Sequence, residues 1–548
     1  MAGGLLNLIS VGNNNVILTG YPTKTFFKVV YSKYTNFGLQ KFRIDYEGLR
    51  DLRLSTPSQF TFKIPRNADL LMDIYLAVFI PDIWSPIYHP CDETGNNWSP
   101  YDFRWIRDLG THIIKEVTVS CGSQTIQKFT GEYLHAMIQR DFNSDKKELL
   151  NRMMGNIPEL NDPANTNNRF NAYPSTYYTE NTNGAEPSIR GKHIYIPMNL
   201  WFTLDSRCAF PLVSLQYNEL YITITLRPIQ ELFQVRDVFD FSNNFPFVQP
   251  DFGQSHFQLY RFLQTPPAVN INTSNYQNTV STWNADIHLM TTYAFLSEDE
   301  RKIFAAEDQI YLVKDVFQYN FQNVAGSTRV SLNSSGMVSS WMWYFQRNDV
   351  YLRNEWSNYT NWAYKNIPFD IILAPSTQQY DPSFATGPLL HPNQYNTGIY
   401  ITGDYHLENQ KEIMQTMAIL LNGDYRENTF TSGIYDYIEK YVRTAGAAMD
   451  GLYCYNFCLN TNPFKYQPSG AINMSKFKDI QMELSTYSPQ VNLGNSNFQV
   501  FCDGDGNIVG VSKPKNVLYD YNYNLTVFEE RYNILSFISG NASMLYAR

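Results

Sequence analysis

Apolar and polar residues alternate along much of the chain. In Leu220-Tyr221-Ile222-Thr223-Ile224-Thr225-Leu226 every second position is aliphatic, and Tyr and Thr fill the places between. A period of two puts the aliphatic side chains on one face of a strand, whereas an amphipathic helix would gather them every third or fourth residue. Pro228 ends the run, since it has no N–H for a ladder. Phe60-Thr61-Phe62-Lys63-Ile64 and Tyr521-Asn522-Tyr523-Asn524-Leu525-Thr526-Val527 alternate in the same way. Residues 74–80 are apolar on both faces, which fits a strand covered on two sides. The pattern predicts sheets with buried cores.

Helical signals are short. Ser297-Glu298-Asp299-Glu300 has capping-box spacing, so the Ser297 side chain is expected to accept from a free backbone N–H and Glu300 to reach back. Ser144, followed by acidic Asp145, is expected to cap a second short helix. Residues 161–192 and 376–397 are rich in Asn, Pro, Thr, Ser, Gly and Tyr and lack periodicity, so both are expected to be long surface loops. Pro246, Pro250, Pro266 and Pro267 punctuate the region after Leu226, which places a connecting segment there. The expected division is an N-terminal arm at 1–25, a first β unit at 26–230, a connection at 231–255 and a second β unit at 256–548. No internal repeat is visible.

Composition supports the β reading. Aromatic residues make up 16%, with 40 Tyr and 36 Phe, while charged residues reach only 17%. Aromatic side chains suit pleated, half-buried surfaces. A length of 548 residues is enough for two domains with separate cores. The formal charge of -9 gives no broad positive field for a phosphate backbone, so no direct nucleic-acid binding is expected. The 6 cysteines are too scattered to staple a scaffold of this size, and reduced thiols are expected. The apolar start around Leu5, Leu6, Leu8 and Ile9 carries no basic region, so no secretory signal is expected. The interior run 70–80 contains Asp73 and is too short to span a membrane.

Candidate chemistry is sparse. Gly184 and Gly191-Lys192 lack the spacing and the following hydroxyl of a phosphate loop, because His193 stands there; a surface turn is expected. In Gly253-Gln254-Ser255-His256-Phe257, Phe257 replaces the glycine a nucleophile elbow needs, and a plain strand is expected. Asp503-Gly504-Asp505-Gly506-Asn507 resembles the start of a calcium loop, but Ile508 and Pro514 occupy the places of the turn glycine and the bidentate glutamate, which favours a hairpin turn. Cys454 and Cys458 have no second ligand pair at zinc spacing and are expected to be core thiols. The 8 histidines are dispersed, and each is expected to be structural. No catalytic, cofactor-binding or metal-ligating residue is assigned, and no cofactor is expected. Sequons at Asn97, Asn272, Asn333, Asn358, Asn473, Asn524 and Asn541 arise readily in an Asn-rich chain.

Five motifs carry a resemblance. They are Gly20 to Phe37, Arg104-Trp105-Ile106-Arg107-Asp108-Leu109-Gly110 leading into Ile113 to Val117, Phe210 to Glu219, Gly470-Ala471-Ile472-Asn473-Met474-Ser475, and Arg531-Tyr532-Asn533-Ile534-Leu535. In this order the chain resembles the major capsid proteins of large nucleocytoplasmic double-stranded DNA viruses of the algal-virus and mimivirus kind. The resemblance implies an all-β fold of two consecutive eight-stranded antiparallel jelly rolls with short helical and long loop insertions. It implies homotrimers forming pseudo-hexagonal capsomers, contacts with neighbouring capsomers and minor capsid proteins, and a virion assembled in the host cytoplasm. It also implies that the arm before Phe26 lies at the capsomer base, facing minor proteins or an internal viral membrane. A jelly-roll carbohydrate-binding or glycan-processing protein is the alternative, suggested by Trp341-Met342-Trp343-Tyr344-Phe345 as a sugar-stacking platform.

Overall fold

The computed structural model describes the chain apart from residues 1–2, 11, 49–50, 86, 89–98, 170–171, 175, 177–185, 241–244, 267–275, 366–409, 490–498, 505, 513–515 and 547–548. Sixteen strands build its two main units. The first eight are β1 (Phe37–Asp45), β2 (Ser58–Ile64), β3 (Leu70–Ile80), β4 (Ile114–Cys121), β5 (Gln124–Thr130), β6 (Lys192–Pro197), β7 (Leu220–Leu226) and β8 (His288–Leu296). The second eight are β9 (Gln309–Phe321), β10 (Ser327–Ser331), β11 (Met337–Arg347), β12 (Met414–Leu421), β13 (Asp424–Thr431), β14 (Leu452–Asn456), β15 (Ile480–Thr486) and β16 (Tyr523–Ile538).

The first unit has sheets ordered β1-β8-β3-β6 and β2-β7-β4-β5, and the second has β9-β16-β11-β14 and β10-β15-β12-β13. Adding eight to each label of the first unit gives the second. All these neighbours are antiparallel, so the chain is two consecutive jelly rolls. The correspondence extends to the connections. Gly122-Ser123 joins β4 to β5 and Asn422-Gly423 joins β12 to β13, both as two-residue hairpins. Asn422 and Gly423 both have positive φ, at 53° and 88°, as a mirror-image turn requires. Each of these hairpins is followed by helix, at Gly131–Asp141 and Ser144–Met153 in the first roll and at Ile434–Ile438 and Glu439–Arg443 in the second.

The predicted alternation holds. Along β7 the even-numbered residues Leu220, Ile222, Ile224 and Leu226 are buried while Tyr221, Thr223 and Thr225 are half-buried. Phe60, Phe62 and Ile64 of β2 point the same way, and β3 is buried on much of both faces.

Three expectations are corrected. The first roll does not end near Gln230. β8 forms its ladder between β1 and β3, with Phe37 opposite Leu296, so the strand expected inside the second unit completes the first. The expected connection is likewise part of the first roll, because Phe233–Arg236 pairs with Phe103–Trp105 and with Phe247–Val248. Its prolines mark turns within a domain. At the other end, among the described residues, no strand precedes Phe37, so the arm runs past residue 25. The caps also differ. The Ser297 side chain makes no cap bond to the helix Glu298–Ala306; Asp69 serves that corner instead, accepting from Leu296 N–H at 2.9 Å and Arg301 Nε at 2.8 Å. Asn143, not Ser144, caps the helix Ser144–Met153, accepting from Lys146 N–H at 3.0 Å.

One hydrophobic cluster fills the first roll and continues into the contact with the second through Val313, Val316, Tyr344, Phe528, Leu535 and Phe537. A separate cluster fills the second roll.

Candidate functional site

β16 forms the wall between the rolls, and its alternation places two adjacent carboxylates on opposite sides. Glu529 faces the interior of the second roll, accepting from Trp341 Nε1 at 2.7 Å and Ser334 Oγ at 2.6 Å, with Arg531 Nε at 2.5 Å. Glu530 faces the first roll. Its carboxylate accepts from Tyr133 OH, Arg140 Nη2 and Ser340 Oγ, each at 2.8 Å, and Lys314 Nζ lies 3.6 Å away. Arg140, at the end of the helix Gly131–Asp141, also holds Asp141, which accepts from Thr461 Oγ1 at 2.6 Å. Burial by itself would raise the Glu530 pKa, but Arg140 and Lys314 outweigh it and hold the carboxyl below its ordinary range. Burial dominates at Asp141 and pushes it upward despite Arg140. Two cations and two carboxylates are thus locked in the seam, where breaking one pair leaves an uncompensated charge.

A second buried hub lies after β11. Asp349 accepts from Arg347 at 2.9 and 2.7 Å and from Arg353 at 3.2 and 3.0 Å. The guanidiniums reach on to Asn361 O, Ala363 O and Asn516 O, which ties three backbone segments together. Burial opposes the Asp349 charge, yet the two arginines hold its carboxyl well below the usual range.

The surface supplies a third feature. Between Tyr21 and Asn36 there is no helix or strand, and Phe26, Phe27, Val29, Val30, Tyr31 and Tyr34 stand in solvent, Phe27 at 98% exposure. Leu5, Leu6, Leu8 and Ile9 lie on the short helix Gly3–Ile9, which buries none of its residues. A contiguous apolar run of this kind on one chain marks a surface made to be covered.

Lys192 opens β6, and Gly191 N–H donates to Asp82 at 2.7 Å; Gly184 lies outside the described residues. Residues 255–257 form a turn of 3-10 helix rather than a strand, with Phe257 in the core. Asp503 and Asn507 close a hairpin between Gln499–Cys502 and Ile508–Ser512, Asn507 N–H donating to Asp503 at 2.8 Å. Cys454 lies in β14 and Cys458 just beyond it; both are buried, and burial pushes the Cys454 thiol up to about 12. Trp341, Trp343 and Phe345 are wholly buried in β11, so the tract that suggested a sugar platform is core. Asn358 is buried with its amide donating to Trp362 O, which closes that sequon to modification in the folded chain. The loop expected at 376–397 lies outside the described residues.

One grouping escaped the sequence. Asp108, His112 and His135 lie together, all buried, with one ligand atom from each within 4.8 Å of the others. Asp108 and His112 are four apart across a helical turn, which was a partial signal; His135 arrives from the next helix, and its distance along the chain hid it.

A chain of two fused jelly rolls with a duplicated strand order is a double jelly-roll protein. Residues 25–289 match the family described as major capsid protein N-terminus, and residues 300–543 match the large eukaryotic DNA virus major capsid protein. The first match stops as β8 begins, and the second starts in the helix Glu298–Ala306. The chain is 23% identical to probable capsid protein 4 of Acanthamoeba polyphaga mimivirus, over 88% of this chain and 93% of that one. It is 23% identical to the major capsid protein of Phaeocystis pouchetii virus over 100% of both. Its fold matches the Faustovirus major capsid protein with a TM-score of 0.59 at 12% identity, covering 97% of this chain and 96% of that one. The protein belongs to the major capsid proteins of large eukaryotic DNA viruses.

Proposed function

We propose that three copies of this chain associate into a capsomer of near-hexagonal outline, and that these capsomers tile the facets of an icosahedral virion assembled in the host cytoplasm. The repeated strand order carries this reading. Two rolls of the same topology side by side give each chain two similar profiles, so a threefold ring presents six. The work is geometric rather than catalytic, and the formal charge of -9 fits a shell wall better than a genome-binding surface. We divide the chain into an arm up to residue 36, a first roll from β1 to β8, the linking helix Glu298–Ala306 and a second roll from β9 onward. The arm supplies the contacts at the base, with minor capsid proteins or an internal membrane, because its apolar residues form a run along the chain that the single copy leaves uncovered. Electron microscopy and light scattering of the purified protein test the capsomer. Uniform threefold particles with a hexagonal outline are expected, and a monodisperse monomer at micromolar concentration removes the reading.

A further inference from the structure

The first roll contains a grouping that shell geometry does not require. Asp108 ends the Arg-Trp-Ile-Arg-Asp stretch in the left-handed region, at φ 52°, and starts the helical turn Leu109–His112, its backbone O accepting from His112 N–H at 3.1 Å. The helix Gly131–Asp141 packs against this turn at close range. A Cβ at Gly131 would lie 2.1 Å from Ile114 O and 2.2 Å from Thr111 O, so only glycine lets the two helices approach this far. The approach brings the His112 and His135 rings to 5.0 Å between centroids and His135 Nδ1 to 4.0 Å from Asp108 Oδ1. His112 is 0% exposed and His135 2%. Neither ring nitrogen of His112 has a hydrogen-bond partner, nor has His135 Nε2. Buried imidazole nitrogens left without partners are costly unless something meets them.

We propose that Asp108, His112 and His135 bind a divalent zinc ion. Two imidazoles and one carboxylate are a donor set zinc takes up readily, and a small inward movement of each ligand reaches its bond lengths. The outer partners are in place. Asn156 Nδ2 donates to Asp108 Oδ1 at 2.8 Å, Asp108 N–H donates to Asn156 Oδ1 at 3.2 Å, and Ser357 of the second roll hydrogen-bonds the same carboxylate. Asp108 also lines a cavity of about 410 Å³ with Asn156, Arg107 and Lys365. The ion would fasten the turn Leu109–His112 to the helix Gly131–Asp141, the helix whose Arg140 enters the seam, and so stiffen the junction of the rolls.

The test uses the full chain. Protein made in zinc-supplemented cells and desalted is assayed for metal by mass spectrometry, and chelator-stripped protein is titrated with Co²⁺. About one zinc per chain is expected, with the intense visible absorption of tetrahedral Co²⁺ that added Zn²⁺ abolishes. The His112→Gln and His135→Gln variants are expected to lose both signals. Asn156→Ala keeps every ligand and is expected to weaken zinc binding by about tenfold. Because a histidine variant can misfold, the cobalt spectrum of the unaltered chain stands as a separate readout. Trace zinc with no tetrahedral cobalt band in that chain overturns the proposal, as does a folded His112→Gln/His135→Gln double variant with undiminished metal.

Discussion

Inside the first roll the facing sheets are lined by Phe60, Phe62, Ile74, Leu76, Ile222 and Ile224; inside the second the corresponding space holds Trp341, Trp343, Tyr453 and Tyr523 with Met414, Met417 and Met482. The strand order is the same, yet Trp, Tyr and Met make up a much larger share of the second filling than of the first. Indole and phenol groups bring polar atoms into the core, and each needs a partner at a fixed place. The second roll provides them. Glu529 receives Trp341, Asn361 Oδ1 receives Tyr521 OH at 2.5 Å and Tyr523 OH at 2.8 Å, and Met417 O receives Tyr435 OH at 3.0 Å. The jelly-roll topology therefore depends on alternation and turns, not on which apolar residues fill it. The first roll should fail when charge enters its core, the second when a buried polar group loses its partner.

The largest effect expected is at β7. Ile224 is wholly buried between Phe60 and Val117 of the flanking strands, and Ile224→Asp places an unpaired carboxylate there, at a cost of several kcal/mol. Loss of soluble expression is expected. Thr223→Asp, one residue away on the other face, should cost about 1 kcal/mol or less and leave soluble protein. Equal tolerance of the two substitutions would show that side-chain burial in this roll does not follow the alternation.

Next comes the seam. Glu530→Ala leaves Arg140 and Lys314 without their shared carboxylate and is expected to destabilise the chain by about 3–5 kcal/mol, read from urea unfolding. Adding Arg140→Met, which removes one stranded cation, should recover part of that loss. A double variant worse than Glu530→Ala alone would mean that the guanidinium matters through Asp141 and not through Glu530.

The hub at Asp349 predicts acid sensitivity. Its folded carboxyl titrates below the ordinary 3.8, because the two arginines outweigh burial. The unfolded chain therefore binds the proton first, and the stability contributed by Asp349 is present above about pH 4 and drains away as the pH falls below it. The urea midpoint should decline more steeply between about pH 4 and pH 3 in the parent than in Asp349→Asn, whose midpoint is already lower at pH 7 because both guanidiniums have lost their anion. Parallel profiles would exclude Asp349 as a source of the acid response.

What the sequence revealed follows the same physics. Strands β2, β3, β7 and β16 were legible because one face meets the core and the other does not. β8 and the linking segment were misassigned because pairing partners far along the chain leave no local trace, and prolines mark turns inside a roll as readily as between domains. The capping signals at Ser297 and Ser144 gave the helices correctly but not the atoms that hold their starts: the adjacent Asn143 caps one, and at the other Asp69, remote in sequence, accepts from Leu296 N–H just before the helix and from the Arg301 side chain within it. The Asp108, His112 and His135 grouping depends on the close helix approach at Gly131, which only the folded chain shows.

The smallest effect on the fold, with the sharpest contrast elsewhere, is expected from the arm. The helices Gly3–Ile9 and Val16–Thr19 bury no residue, so deleting residues 3–19 removes nothing from either core. Both rolls and the oligomer should persist, with a stability change within about 0.5 kcal/mol, because segments without buried contacts contribute little to global unfolding. Assembly should respond differently. If Leu5, Leu6, Leu8 and Ile9 dock beneath the capsomer, losing one modest contact per chain is multiplied over every capsomer in a lattice. Melting temperature and oligomer mass of the purified truncation, set beside particle yield in cells making only that form, separate the two consequences. Normal particle yield would refute docking by this segment, and a destabilised truncation would place it in the fold, in contact with surfaces that the isolated chain leaves bare.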